Sequence, residues 1–194
     1  VYWPTMLMAA GLPLPKTILA HGWWLFDDSK MSKSTGNIID PLKLIDLYGE
    51  DSLRYYLMRD MVLGQDANYN LDKLIKRYNS DLANDFGNLV NRVTVLIKKH
   101  YNNMVPEPGD YNENDLKIIA KSKKTTQIVI SNFNDLKIHN AIEEVMGLFR
   151  DLNKYLEMNK PWKLLKQNVK DSMAATTLYV SINALYVGTQ LLHP

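Results

Sequence analysis

The sequence predicts a mainly α-helical chain: a bundle of long helices behind a small mixed α/β connector. Three observations carry this expectation. From Leu71 onward, Leu71, Leu74, Ile75, Tyr78, Leu82, Phe86, Leu89, Val93, Leu96 and Ile97 step in threes and fours. At about 100° per residue they form one stripe on a long amphipathic helix. The same spacing returns in Ile138, Ile142, Val145, Leu148, Leu152, Tyr155 and Leu156, and again in the apolar stretch from Ser172 to Leu192. Short β-branched and aromatic runs, by contrast, are confined to the front of the chain, at Thr17 to Leu19 and Trp23 to Phe26.

In chain order, Tyr2 to Ala10 is apolar, with Pro4 suited to a first helical turn. Gly11-Leu12-Pro13-Leu14-Pro15 ends that helix. The runs at Thr17 to Leu19 and Trp23 to Phe26 read as two short strands either side of His21-Gly22, and their sheet partners are expected outside this chain. Residues 1–26 are therefore expected to be poorly ordered or repacked in isolation. Asp27-Asp28-Ser29 reads as a turn. Asp40 caps a helix that Pro41 begins and Gly49 stops. Glu50 opens a second helix, through Met61 or Val62, with acids at its positive end. Gly64 to Asn70 reads as a polar link. After the long helix from Leu71 comes a loop, Asn102 to Asn112. Bundle helices then follow from Asp115 to about Ser131 and from Asn134 to about Met158. Lys160-Pro161-Trp162 starts a short helix through Leu165, and the last helix runs from Ser172 to Leu192.

Composition narrows the function classes. The chain has 194 residues, 46% of them apolar, enough for a true core. A formal net charge of +2 demands no nucleic-acid partner, so any RNA contact must come from local patches. Cysteine is absent, which excludes disulfides and thiolate zinc sites in this stretch and fits a reducing cytoplasm. No apolar run approaches the length that spans a bilayer, and no signal-peptide pattern opens the chain. The sequence starts without Met at Val1-Tyr2-Trp3-Pro4, and it is expected to be a piece of a longer protein.

The stretch with chemical content is Lys30-Met31-Ser32-Lys33-Ser34, followed by Thr35-Gly36-Asn37. Two ammonium groups, two hydroxyls and a nearby glycine suit a loop that wraps a polyanion. This string resembles the KMSKS signature of class I aminoacyl-tRNA synthetases, and His21-Gly22 before it and Ile38-Ile39-Asp40-Pro41 after it resemble their surroundings. Tyr2-Trp3-Pro4, Asp51 to Tyr56, Asn88 with Arg92, and Lys160-Pro161-Trp162 extend the likeness over nearly the whole chain. The signature alone is shared with valyl, isoleucyl, leucyl and cysteinyl relatives. The Trp-Pro opening and the later Pro-Trp favour similarity to methionyl-tRNA synthetases of bacterial type.

The resemblance implies a ligase that activates methionine with ATP and Mg2+ and transfers it to methionine tRNA. It implies Lys33 at the phosphates, with Lys30, Ser32 and Ser34 in support, His21 and Gly22 toward the adenine, and Trp3 near the methionine pocket. Asn88, Arg92 and Trp162 would read the anticodon. It divides the chain into a remnant of the catalytic Rossmann domain (1–26), the signature loop with a stem-contacting connector (27–70) and an anticodon-binding bundle (71–194). Lys43, Arg54 and Arg59 on the connector would face the inner side of the tRNA. The nucleotide-binding half, with its His-x-Gly-His type signature, and the zinc-bearing insertion are missing from this sequence. The stretch is thus expected to hold no metal ligands, to need that half as its partner and to be inactive alone. Two alternatives stay open: a valyl-type synthetase, and a non-catalytic helical module that binds RNA or docks a protein. The basic runs Lys98-Lys99-His100 and Lys121 to Lys124 read as solvated faces.

Overall fold

The structure, a computed structural model, describes residues 1–26, 29, 30 and 39–193, with Ser29 and Lys30 described through their backbone. Helix α1 (Tyr2–Ala9) buries none of its residues, and Gly11, at φ 67°, follows its end. The expected strand at Thr17 to Leu19 does not form. Ile18 and Leu19 are exposed there, and β-branching without a ladder or a buried face does not make a strand.

The strand at Trp24–Phe26, β1, does form, and it overturns the expectation that its partners lie elsewhere. It pairs antiparallel with β2 (Ser29–Lys30) and parallel with β3 (Ala67–Tyr69), in the order β2-β1-β3. Ser29 is therefore strand rather than turn, and part of the Gly64 to Asn70 link is the third strand. Three residues between turn signals carry too little pattern to announce a strand; pairing with β1 decides it.

Helices α2 (Pro41–Tyr48) and α3 (Glu50–Asp60) fill the crossover from β1 to β3. The Asp40 carboxylate accepts the Leu42 N–H at 3.0 Å and Pro41 occupies the first turn. Gly49, at φ 82°, makes the corner into α3 in a conformation that favours glycine. A small apolar centre holds the connector together: Leu53, Tyr56 and Leu74 are buried, with Trp24 and Tyr69 packed on them. The Tyr56 ring lies 5.9 Å from both Trp24 and Tyr69. Its hydroxyl donates to the Asn70 carbonyl at 3.2 Å and accepts the Asn70 N–H at 3.1 Å. Trp24 thus anchors β1, and with it the strand pair that precedes the signature loop, to α3.

The single long helix expected from Leu71 is helical throughout but not uniformly α. It comprises α4 (Leu71–Arg77), a π-helical segment (Tyr78–Gly87) and α5 (Asn88–Tyr101). The apolar steps Tyr78, Leu82, Phe86 are successive fours, wider than the 3.6 of an α-helix. The wide turn places Asp81 inside, 5% exposed. There its carboxylate accepts from the Tyr55 hydroxyl at 2.8 Å and from Arg77 Nη1 at 3.3 Å. Burial, and next this carboxylate, push the Tyr55 phenol well above its ordinary range.

The bundle is completed by α6 (Glu113–Asn134), α7 (Ile138–Asn159), α8 (Pro161–Gln167) and α9 (Ser172–Leu192). Helix α7 is its centre: Val145, Leu148, Leu152, Tyr155 and Leu156 are buried, as their spacing predicts, and Phe149 is buried with them. The Phe149 ring stacks on Phe86 at 4.9 Å. A Cβ on Gly188 would lie 2.4 Å from Phe149 Cε1, so α9 crosses α7 closer than any larger residue permits. Asn112 and Asp115 cap α6 reciprocally. The buried Asp115 carboxylate also accepts the Tyr155 hydroxyl, tying the start of α6 to α7. Among the described residues no helix is long and apolar enough to cross a membrane.

Candidate functional site

The candidate residues fall in two places. Of the signature loop, Ser32, Lys33, Ser34 and Gly36 lie outside the described residues. Lys30 ends β2, its backbone opposite Leu25 of β1. The described strands therefore bring the chain up to the loop on a short hairpin fixed to the connector.

His21 and Gly22 stand immediately before β1. The His21 ring is exposed, and its Nδ1 lies 2.8 Å from the Gly22 carbonyl oxygen. A carbonyl only accepts, so Nδ1 carries the proton in that bond. Gly22 has a steric reason for its identity. A Cβ there would lie 2.0 Å from the Gln65 carbonyl oxygen and 2.6 Å from the Asp66 nitrogen, both backbone atoms. The next residue ties the same contact: Trp23 N–H donates to Asp66 Oδ1 at 2.7 Å, and the Trp23 carbonyl accepts the Ala67 N–H at 2.9 Å. Gly22→Ala is expected to push β1 away from β3 and destabilise the connector by roughly 1–3 kcal/mol, the usual cost of overpacking. A lowered thermal midpoint measures this; an unchanged one would mean that the two backbones do not approach so closely. Trp3 on α1 is 74% exposed and α1 buries nothing, so the described residues do not assemble a pocket around it.

The second place is a face of the bundle where α5, α7 and α8 meet. Asn88 is the first residue of α5, Arg92 stands one turn later, and Trp162 is the second residue of α8. The local sequence explains the placement of the tryptophan. Lys160 ends α7 in the left-handed region at φ 47°, and Pro161 at the first position of α8 sets the backbone ahead of Trp162. The indole is half-buried, packed on the bundle core from one side. The Arg92 guanidinium lies over its ring, 4.9 Å from the centroid. This cation–π contact contributes roughly 0.5–2 kcal/mol. Glu157 on α7 completes the group, its Oε1 2.5 Å from Arg92 Nη2. The exposed Asn88 amide donates to Asn84 Oδ1 at 3.4 Å. The structure thus brings Arg92 and Trp162 into contact, 70 positions apart in sequence, and sets Asn88 beside them.

Glu157 and Asn84 escape a reading of the sequence alone. Glu157 meets Arg92 only because α7 runs beside α5, and no local spacing links two residues that far apart. Arg59, expected on the tRNA side of the connector, is turned inward. Its side chain is 12% exposed and pairs with Asp81 and Glu143. Among the described residues no group of three or more His, Asp or Glu is placed to hold a metal ion.

Residues 1–94 match the family model of class I tRNA synthetases of the methionine type, and residues 105–194 match the model of the anticodon-binding domain of methionyl tRNA ligase. The chain belongs to the methionyl-tRNA synthetase family. It is 42% identical over 179 residues to the methionine–tRNA ligase of Clostridium tetani, a match covering 92% of this chain and 28% of that protein. It is 40% identical to the enzyme of Ureaplasma parvum, covering all of this chain and 37% of that one. Among solved structures it superposes on Mycobacterium tuberculosis methionyl-tRNA synthetase bound by methionyl-adenylate. The TM-score is 0.92 at 37% identity, over all of this chain and 38% of that one. The chain therefore spans about a third of the length of these synthetases. The family match sets aside the valyl-type alternative, and the mainly α architecture with a helical bundle is shared with the solved synthetase.

Proposed function

We propose that this chain supplies two working parts of an ATP-dependent methionine–tRNA ligase: the signature loop and the surface that reads the anticodon. The observation that carries this is the Arg92–Trp162 pair with Asn88 beside it. It lies on a bundle whose later part matches an anticodon-binding model. Single-stranded RNA is read by planar side chains that stack on splayed bases and by amide and guanidinium groups that hydrogen-bond base edges. A half-buried indole under a guanidinium, one turn from an exposed amide, offers both. Glu157 holds Arg92 in place and limits the rotamers that must be frozen when a base arrives.

In this proposal residues 71–194 form the anticodon-binding domain, residues 27–70 the signature loop and connector, and residues 1–26 belong to the catalytic domain. Lys33 meets the ATP phosphates, Lys30, Ser32 and Ser34 support it, and His21 and Gly22 line the adenine side. Trp3 joins the methionine pocket once the nucleotide-binding half covers α1, whose Tyr2, Trp3, Met6 and Met8 are exposed. Mg2+ enters with the triphosphate. The setting is the cytoplasm, where tRNA is charged. The purified chain is expected to bind methionine tRNA more tightly than the same tRNA with a changed anticodon, by roughly 1–3 kcal/mol per lost stacked base. Electrophoretic shift or fluorescence titration measures the difference. Equal affinity for the two would overturn the anticodon assignment.

A further inference from the structure

Residues outside both candidate sites form a chain of ion pairs of alternating charge between the connector and the bundle, Asp81–Arg59–Glu143–Arg150–Asp85. Glu143 on α7 takes a different guanidinium on each carboxylate oxygen: Arg59 of α3 on Oε2, and Arg150, two turns further along α7, on Oε1. Arg59 Nε lies 3.8 Å from Asp81 Oδ2, and Arg150 Nη1 lies 3.8 Å from Asp85 Oδ2. Asp81 and Asp85 are four residues apart on the π-helical segment. The chain of pairs therefore ties together three elements, α3, the π-helical segment and α7, and both of its ends lie on the π-helical segment. Arg77 adds a second strap to α3, its Nε 2.8 Å from Asp60 and its Nη1 3.3 Å from Asp81.

Such a chain of ion pairs is a poor way to gain stability. Arg59 is nearly buried, and its Nε has no hydrogen-bond partner among the described residues. An apolar side chain would pack there without the desolvation cost. What paired charges do well is fix geometry, because each carboxylate accepts its partners from set directions. The geometry held here lies between the two candidate sites. Helix α3 carries the aromatic anchor of β1, whose antiparallel partner β2 ends at Lys30 where the signature loop begins. The π-helical segment runs directly into Asn88, and its Asp85 carbonyl accepts from Asn153 of α7 at 2.9 Å.

We propose that Arg59 and Glu143 are positioning residues that fix the angle between the connector and the anticodon-reading face, so that one tRNA engages both at once. The inference rests on the ligase function proposed above. A rigid two-site ligand rewards that angle, because the second contact forms at high effective concentration only if the geometry permits it.

The test uses the complete synthetase that contains this chain, with Glu143→Gln and, independently, Arg59→Lys. Three quantities are read: methionine-dependent pyrophosphate exchange, affinity for methionine tRNA, and the charging rate at saturating tRNA. The expected result is a charging rate lowered about tenfold, in line with the cost of small misplacements, and a weaker affinity for methionine tRNA as the second contact is lost, with exchange unchanged. Glu143→Asp, which keeps the charge, recovers part of the loss. An unchanged charging rate in both variants, or a parallel fall of all three quantities, overturns the proposal. If the unaltered enzyme fails to charge methionine tRNA, the ligase reading itself falls, and this inference with it.

Discussion

Lys33→Ala is expected to slow adenylate formation roughly 10²- to 10³-fold, the usual loss when one preorganised donor to a charged transition state is removed. Attack on the α-phosphate gathers negative charge on the phosphates as pyrophosphate departs. An ammonium group that meets this charge as it develops stabilises the transition state more than the bound substrate, so the rate falls while methionine affinity stays near its starting value. The sequence supplies the ammonium group in a string rich in hydroxyls and without a large core anchor except Met31. The structure supplies the base from which that string departs. β1 is paired on both sides, and Trp24 within it packs on Tyr56 of α3. Pyrophosphate exchange in the complete enzyme is the measurement. A rate equal to that of the unaltered protein would remove Lys33 from the chemistry, and a large rise in the methionine KM with an intact rate would assign it to binding.

Trp162→Ala is expected to lower tRNA charging by about 5- to 150-fold, corresponding to roughly 1–3 kcal/mol for one lost base-stacking platform. Adenylate formation should stay intact, because the indole sits on α8 at the far end of the bundle sequence from the signature loop. Two contributions fall together in this variant. The stacking face disappears, and Arg92 loses the ring beneath it, so that Glu157 alone holds the guanidinium. Trp162 also packs against the bundle core, which gives a structural cause for any loss. Trp162→Phe separates the two: it keeps a flat apolar ring and should retain most of the charging rate. If charging and pyrophosphate exchange drop equally in the alanine variant, or its thermal midpoint collapses, the tryptophan serves the fold and not the RNA.

Much of the architecture was legible before any coordinates. The stripe on α7, the Asp40-Pro41 start, the Gly49 corner and the Lys160-Pro161 break are local signals, and the chain obeys them. The failures share one cause. Thr17 to Leu19 has the composition of a strand and forms none, whereas Ala67 to Tyr69 lies in an apparent link and becomes β3. A two- or three-residue strand exists only through its partner, and the partner lies some forty residues away. The π-helical stretch left one trace in the sequence, the two successive steps of four at Tyr78, Leu82 and Phe86. What it does there, which is to turn Asp81 inward onto Tyr55 and Arg77, left none.

By itself, the sequence determined the helical bundle and the cationic string at Lys30 to Ser34, because periodicity, caps and motifs are written in neighbouring residues; Asn88, Arg92 and Trp162 were singled out only by resemblance to a family. Only the tertiary structure decided that Arg92 lies on Trp162 under the hold of Glu157, that Gly22 is required by the backbone of Gln65, and that Arg59 faces Glu143 rather than solvent. Each of those contacts joins residues more than forty positions apart. Such pairs are brought together by the packing of whole helices and strands, for which the local chain carries no code.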